Sequence, residues 1–326
     1  MRSSLAFVLV TMLAGCGNSS GDLGDQPDAS LPTDAGLEPP GRGFQIMTPT
    51  VDIDPGTELT YCYYFRTPNT SDLNIKKWAS HMTPGGHHLM VYLTPTKLRD
   101  NNTLETQKCG LASIGASGPV WTFAAQNADQ EASLPSDDGN GRPVGQLVTA
   151  RHYGFIQMHY LNTTDAVIHA HVELNAYAYD EGVQVTPAAP FVTLDTQINL
   201  AAATSAVTPA TGMAHNQCDV ARDVKFYLMT TYTHKQGVHT FIKDGATTVF
   251  NSTDWEHPGT QGWNTSPFYS FTSGKLTYQC EYVNPNGYPI KYGDDALTQE
   301  MCMAIGYYFP AATTTGHFCV DGTMLN

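Results

Sequence analysis

Four short stretches carry side chains able to hold a metal: Gly85-Gly86-His87-His88, Gln157-Met158-His159-Tyr160, Tyr232-Thr233-His234 and Glu300-Met301-Cys302. Each lies in an apolar, strand-like context. Imidazole nitrogens with a thioether form a copper ligand set, because soft sulfur suits Cu(I) and imidazole suits both oxidation states. The implied chemistry is redox. Adjacent strand residues point to opposite faces, so His87 and His88 meet one ion only where the backbone deviates. Pro84-Gly85-Gly86 supplies that freedom. Taken alone, His159 reads as a hydrogen-bonded core histidine.

The elements that must position these residues are strands. Thr60 to Phe65, His88 to Leu93 and Gly154 to Tyr160 are short, aromatic and β-branched, and Val167 to Leu174 alternates with period two. Thr83-Pro84-Gly85-Gly86, Asp137-Asp138-Gly139-Asn140-Gly141 and Asn284-Pro285-Asn286-Gly287 punctuate them as turns. No long segment has a helical period. The expectation is an all-β chain of two tandem antiparallel β-sandwiches, jelly-roll-like, over residues 41–185 and 186–326. The boundary falls between Tyr179 and Pro190, where the alternation is interrupted.

The N-terminus reads as an export signal over residues 1–15: Arg2, then an apolar run from Leu5 to Ala14 too short to span a bilayer. Leu13-Ala14-Gly15-Cys16 resembles the lipobox of bacterial lipoproteins, which makes Cys16 the lipid-bearing terminus; an ordinary cleaved signal is the alternative. Residues 16–40, acidic and without aromatics, read as a disordered tether. The expected location is outside the cytoplasm, lipid-anchored to a bacterial membrane, at the outer membrane or cell surface. A formal net charge of -14 argues against nucleic acid as a partner. Of the 7 cysteines, those after Cys16 are even in number, implying disulfides, although sequence alone allows about 15 connectivities.

Beyond the chemistry of single residues, Thr60-Tyr61-Cys62, Gly86-His87-His88-Leu89-Met90, Gln157-Met158-His159-Tyr160 and Gln299-Glu300-Met301-Cys302 with Tyr307-Tyr308-Phe309-Pro310 follow one another in order. In these motifs the chain resembles the copper type II, ascorbate-dependent monooxygenases, the family of peptidylglycine α-hydroxylating monooxygenase and dopamine β-monooxygenase. The resemblance implies two copper ions facing each other across solvent, one per domain. His87, His88 and His159 would hold the first, which stores and delivers an electron. His234 and Met301 would hold the second, where dioxygen meets a substrate C–H bond, and Gln157 would support His159. It also implies disulfides Cys62–Cys109, Cys218–Cys319 and Cys280–Cys302, an external ascorbate-like reductant, and a small-molecule or peptide substrate.

The chain departs from the family at two places. The second site's His-x-His becomes Tyr232-Thr233-His234, and four routes stay open: Tyr232 ligates as phenolate, His239 swings in, copper is held weakly by His234, Met301 and water, or the centre is lost. Thr230 and Ile305 stand where peptide-amidating members carry an arginine and a tyrosine, so glycine-extended peptides are not expected substrates. The expected function is a copper monooxygenase; the alternative is a non-catalytic copper-binding lipoprotein keeping the first centre only. His169 and His171 read as a solvated edge, His81, His152, His215, His257 and His317 show no pairing, and Asp137 to Asn140 reads as a turn rather than a calcium loop. Hydrolase, nucleotide-binding and zinc-protease motifs are absent.

Overall fold

The structure, a computed structural model, describes residues 36–106, 118–205, 207–293, 295 and 298–325. The expected signal peptide, Cys16, the tether up to residue 35 and Cys109 (hence the pairing Cys62–Cys109) lie outside the described residues. Every regular element among the described residues is a β-strand, so the chain is all-β. The attached region begins before residue 41: Glu38 accepts a hydrogen bond from Asn175 Nδ2 at 2.8 Å and Leu37 O one from Gln45 Nε2 at 2.8 Å.

Four large sheets carry the strands. A six-stranded sheet orders Gly43–Met47, Val172–Ala178, Leu73–Met82, Val144–Val148 and Thr186–Pro187, with Asp129–Ser133 also on Leu73–Met82. A five-stranded sheet orders Thr103–Glu105, Glu58–Arg66, Tyr153–Leu161, Gly86–Thr94 and Val120–Ala125. Phe44, Ile75, Trp78 and Leu174 of the first pack against Tyr61, Val91, Phe123 and Ile156 of the second as one core. After Ala188 the chain enters a second pair. A six-stranded sheet there contains Lys225–Thr233, Cys302–Phe309, Ala189–Leu194 and His317–Val320, and a four-stranded one orders Ala210–Asp219, Lys275–Asn284, Gly237–Asp244 and Thr247–Ser252.

The disulfides Cys218–Cys319 and Cys280–Cys302 each join the four-stranded sheet to its six-stranded partner. Both pairings expected for that half are present, and disulfides are compatible with an extracytoplasmic protein. Among the described strands pairing is antiparallel except where Thr186–Pro187 meets Val144–Val148 and where Ala189–Leu194 meets His317–Val320.

A further apolar cluster joins the two pairs. Met90, Tyr92, Trp121 and Phe155, on the outer face of the five-stranded sheet, pack against Val192, Met303, Ile305 and Phe318 of the six-stranded one and against Met301 just before the strand Cys302–Phe309. The two inner sheets are thus buried on both faces, which is why strands such as Gly86–Thr94 read as continuous apolar runs. Burying side chains of this size stabilises by about 1.5–3 kcal/mol each. The histidines singled out above lie on this same outer face: His88 is two and four residues from Met90 and Tyr92, and Gln157 and His159 follow Phe155 at spacing two.

Candidate metal centre

His87 reaches the same face as His88 through a bulge. His159 pairs with His88 and Tyr160 with Gly86, leaving His87 as the extra residue. The approach needs its glycines. Gly85 has φ 89°, and a Cβ on Gly86 would meet Met82 Cβ at 2.7 Å. The ring centroids of His87 and His159 are then 4.9 Å apart, and those of His88 and His159 4.8 Å.

One nitrogen from each of these histidines lies within 4.8 Å of the others, the one such group of three His, Cys, Asp or Glu among the described residues. His87 Nδ1 and His88 Nδ1 are 3.0 Å apart. Metal–nitrogen bonds of about 2 Å put two ligand nitrogens roughly 3–3.4 Å apart, a spacing the His87–His88 pair already has.

The far side of two rings is held by carboxylates. Glu256 Oε1 lies 2.9 Å from His87 Nε2, and Glu58 Oε1 lies 2.6 Å from His159 Nε2. With each Nε2–H donated to a carboxylate, the Nδ1 atoms carry the lone pairs. His159 Nδ1 is buried and makes no hydrogen bond among the described residues, so its lone pair suits a metal ligand. Burial, with His159, His87, His234 and His257 around it, holds His88 well below the ordinary imidazole range. Burial and then His87 lower His159 as well, against the pull of Glu58. His88 and His159 are therefore poised to stay neutral, the form that binds metal. Copper fits this donor set.

His234 and Met301 also come together, through Glu300. The buried Glu300 carboxylate accepts His234 N at 2.9 Å, Met301 N at 3.2 Å and Thr233 Oγ1 at 2.9 Å on Oε2, and Gln236 N at 2.7 Å on Oε1. Two backbone amides sharing one oxygen makes His234 and Met301 spatial neighbours. Burial raises Glu300 to about 7 despite these donors. His234 Nδ1 is 3.0 Å from Gln299 O, so Nδ1–H donates there and Nε2 keeps its lone pair. Burial lowers His234 to about 4.

The strand Lys225–Thr233 stops one residue short of His234, which opens the turn, and the ring centroids of Tyr232 and His234 are 5.4 Å apart. His239 is engaged elsewhere, with Nε2 3.2 Å from Asn251 Oδ1 and its ring 3.9 Å from that of Phe241. The two groups share surroundings. Tyr232 and Thr233 border the same cavity, about 60 Å³, as His87, His88 and His159.

Other singled-out residues are accounted for locally. His169 pairs with Asp52 at 2.6 Å on an exposed edge. Asp137 and Asp138 spend their carboxylates on the amides of Gly139, Asn140 and Gly141 and on Thr186 Oγ1, as a turn does. His257, without a sequence pairing, has its ring 5.5 Å from that of His87. Sequence reasoning missed Glu58, Glu256 and Glu300. Glu300 stood inside a quoted motif; Glu256 comes from a distant loop that leaves no local signal.

No protein-family model matches the chain, and no curated protein matches it either.

Proposed function

We propose that the chain is a copper-dependent monooxygenase that hydroxylates a C–H bond of an extracytoplasmic substrate with dioxygen and an ascorbate-like reductant. The observation that carries the reading is the convergence of His87, His88 and His159 beside the cavity that Tyr232 and Thr233 also border. Copper, when bound, supplies one-electron redox chemistry and a means of activating dioxygen. The chain's own residues prepare for it. Glu58 and Glu256 fix the orientation of two imidazoles, Glu300 holds His234 next to Met301, and the apolar seam excludes water around them. The reaction adds one oxygen atom to substrate and reduces the other to water, so two electrons and two protons come from the external reductant.

A second reading is favoured by Tyr232, which stands beside His234 where the resembled family has a histidine. In that reading the chain binds copper at the first centre only and hydroxylates nothing. Oxygen uptake by copper-loaded protein with ascorbate separates the two: sustained reductant-dependent uptake supports the oxygenase, and its absence against any reductant leaves the binding protein. Within either reading, lipid on Cys16 tethers the chain to a bacterial membrane outside the cytoplasm.

A further inference from the structure

An aromatic row crosses the five-stranded sheet strand by strand. Trp121 stands opposite Tyr92, Tyr92 opposite Phe155, and Phe155 opposite Tyr64 in the strand register. Successive ring centroids are 5.6, 4.7 and 5.4 Å apart. Cross-strand aromatic pairs stabilise a sheet wherever they occur. The two ends set this row apart. At the seam the Trp121 ring lies 5.9 Å from that of Tyr232, which borders the histidine cavity beside His234. At the far edge Tyr64 is half-buried, and its phenol donates to Glu105 Oε2 at 3.0 Å.

Tyrosine and tryptophan are among the side chains most easily oxidised by one electron. A phenol that loses an electron also sheds its proton, so the charge comes to rest where a base stands ready. Tyr64 has that base in Glu105, whose other oxygen accepts Arg99 Nη2 at 3.2 Å and is thereby held in place. Burial and the bond to Glu105 push Tyr64 up to about 12, so its phenol is protonated at rest. Tyr64 is also the ring of the row nearest to solvent: Trp121, Tyr92 and Phe155 are all buried.

We propose that Tyr232, Trp121, Tyr92 and Tyr64 form a one-electron relay that drains an oxidising equivalent stranded at the histidine cavity to the edge of the sheet. An oxidant formed there from peroxide, with no substrate to meet, takes one electron from the Tyr232–Trp121 pair. That electron is replaced from Tyr92, and Tyr92 is refilled across the Phe155 ring. Tyr64 gives the last electron and passes its phenolic proton to Glu105, which leaves a neutral tyrosyl radical. A one-electron reductant of the ascorbate class then supplies an electron to Tyr64, and Glu105 returns the proton. The net change is one electron moved from reductant to oxidant, with no side chain consumed. The relay rests on copper at the three histidines, which both readings above share.

The experiment treats Cu(I)-loaded protein with hydrogen peroxide, without substrate, and freezes samples at intervals for electron paramagnetic resonance. A tyrosyl radical forms in the parent protein, is lost in Tyr64→Phe, is diminished in Trp121→Phe, and does not form in metal-free protein. Mass mapping of the same samples finds more oxygen added to His87, His88 and His159 in both variants than in the parent. Tyr64→Phe removes one hydroxyl at a half-buried edge, so it reads the relay even where Trp121→Phe unfolds the chain. A tyrosyl radical that survives Tyr64→Phe, or equal histidine oxidation in parent and Tyr64→Phe, overturns the proposal. Copper content measured on the same samples separates two failures. Copper bound without a radical at Tyr64 overturns the relay alone, whereas no copper at the three histidines overturns it together with the metal reading.

Discussion

Glu256 Oε1 lies 2.9 Å from His87 Nε2 although the two residues are 169 positions apart, one on each side of the seam. With Glu58 on His159, it gives the three-histidine cluster one carboxylate from each half of the protein. A carboxylate behind a ligating imidazole fixes the ring and raises its basicity. Glu256→Gln and Glu58→Gln should each weaken Cu(II) binding at this centre by about 10- to 100-fold while keeping its stoichiometry. A chelator-competition titration measures this; affinities equal to the parent protein's would remove both carboxylates from the account.

The pH dependence of copper binding follows from burial. A histidine is neutral above its pKa, and burial lowers both His88 and His234, the latter to about 4. Protons therefore compete less than they do at a free imidazole, whose ordinary value is about 6.5. Copper occupancy should hold through pH 6.5 down to about 5, with loss below. Metal retention measured across pH checks this, and a midpoint near 6.5 would contradict it.

Glu300 gives a stability prediction of opposite sign. Its folded pKa, about 7, lies above the ordinary carboxyl value of 4.5, so its contribution is fully present below the unfolded value and lost as pH rises through about 7. The lowered pKa of His234 acts the other way, with stability present above about 6.5 and lost as pH falls toward 4. Glu300→Gln removes the first contribution and places an amide N–H₂ among the donors it faced. The variant should be less stable by about 1–3 kcal/mol, and the gap in Tm between metal-free parent and variant should widen as pH falls from 7 to 4.5. Calorimetric melts across pH test it; a gap that narrows on acidification would be the opposite result.

Much of this arrangement was legible in the sequence. Thr60 to Phe65 and Gly154 to Tyr160 showed their strands through aromatic and β-branched content, and the structure extends them to Glu58–Arg66 and Tyr153–Leu161. The alternating run through Val167 to Leu174 breaks at His171, whose carbonyl accepts from Thr83 and from Tyr160 OH, so two strands stand where one period suggested one. Pro84-Gly85-Gly86 correctly signalled a backbone deviation before the histidine pair, but only pairing with Tyr153–Leu161 shows that His87 itself is the bulged residue. Glu256 and Trp121 were invisible, because their roles arise from packing across the seam and follow no local period. The place of His239 was likewise decided by its neighbours Asn251 and Phe241.

Tyr232 distinguishes an adapted centre from a lost one. Its ring contacts both Trp121 and His234. If the phenol contributes to the oxygen chemistry, Tyr232→Phe should lower reductant-dependent oxygen uptake by at least about tenfold, about 1.4 kcal/mol, while copper at His87 and His88 is untouched. Tyr232→His should strengthen copper binding beside His234. Steady-state uptake together with metal analysis of both variants reads these effects. Uptake unchanged by either substitution would exclude Tyr232 from the chemistry.

The central claim is that the histidine cluster and the His234–Met301 pair each hold copper. Its most direct test is the copper content of the protein after reconstitution with Cu(I) and removal of loosely bound metal, in parallel with His87→Ala and Met301→Ala. Two coppers per chain are expected, with one lost in each variant. One copper that survives Met301→Ala but not His87→Ala would contradict the second centre and leave a copper-binding protein; copper that survives His87→Ala in full would contradict the first.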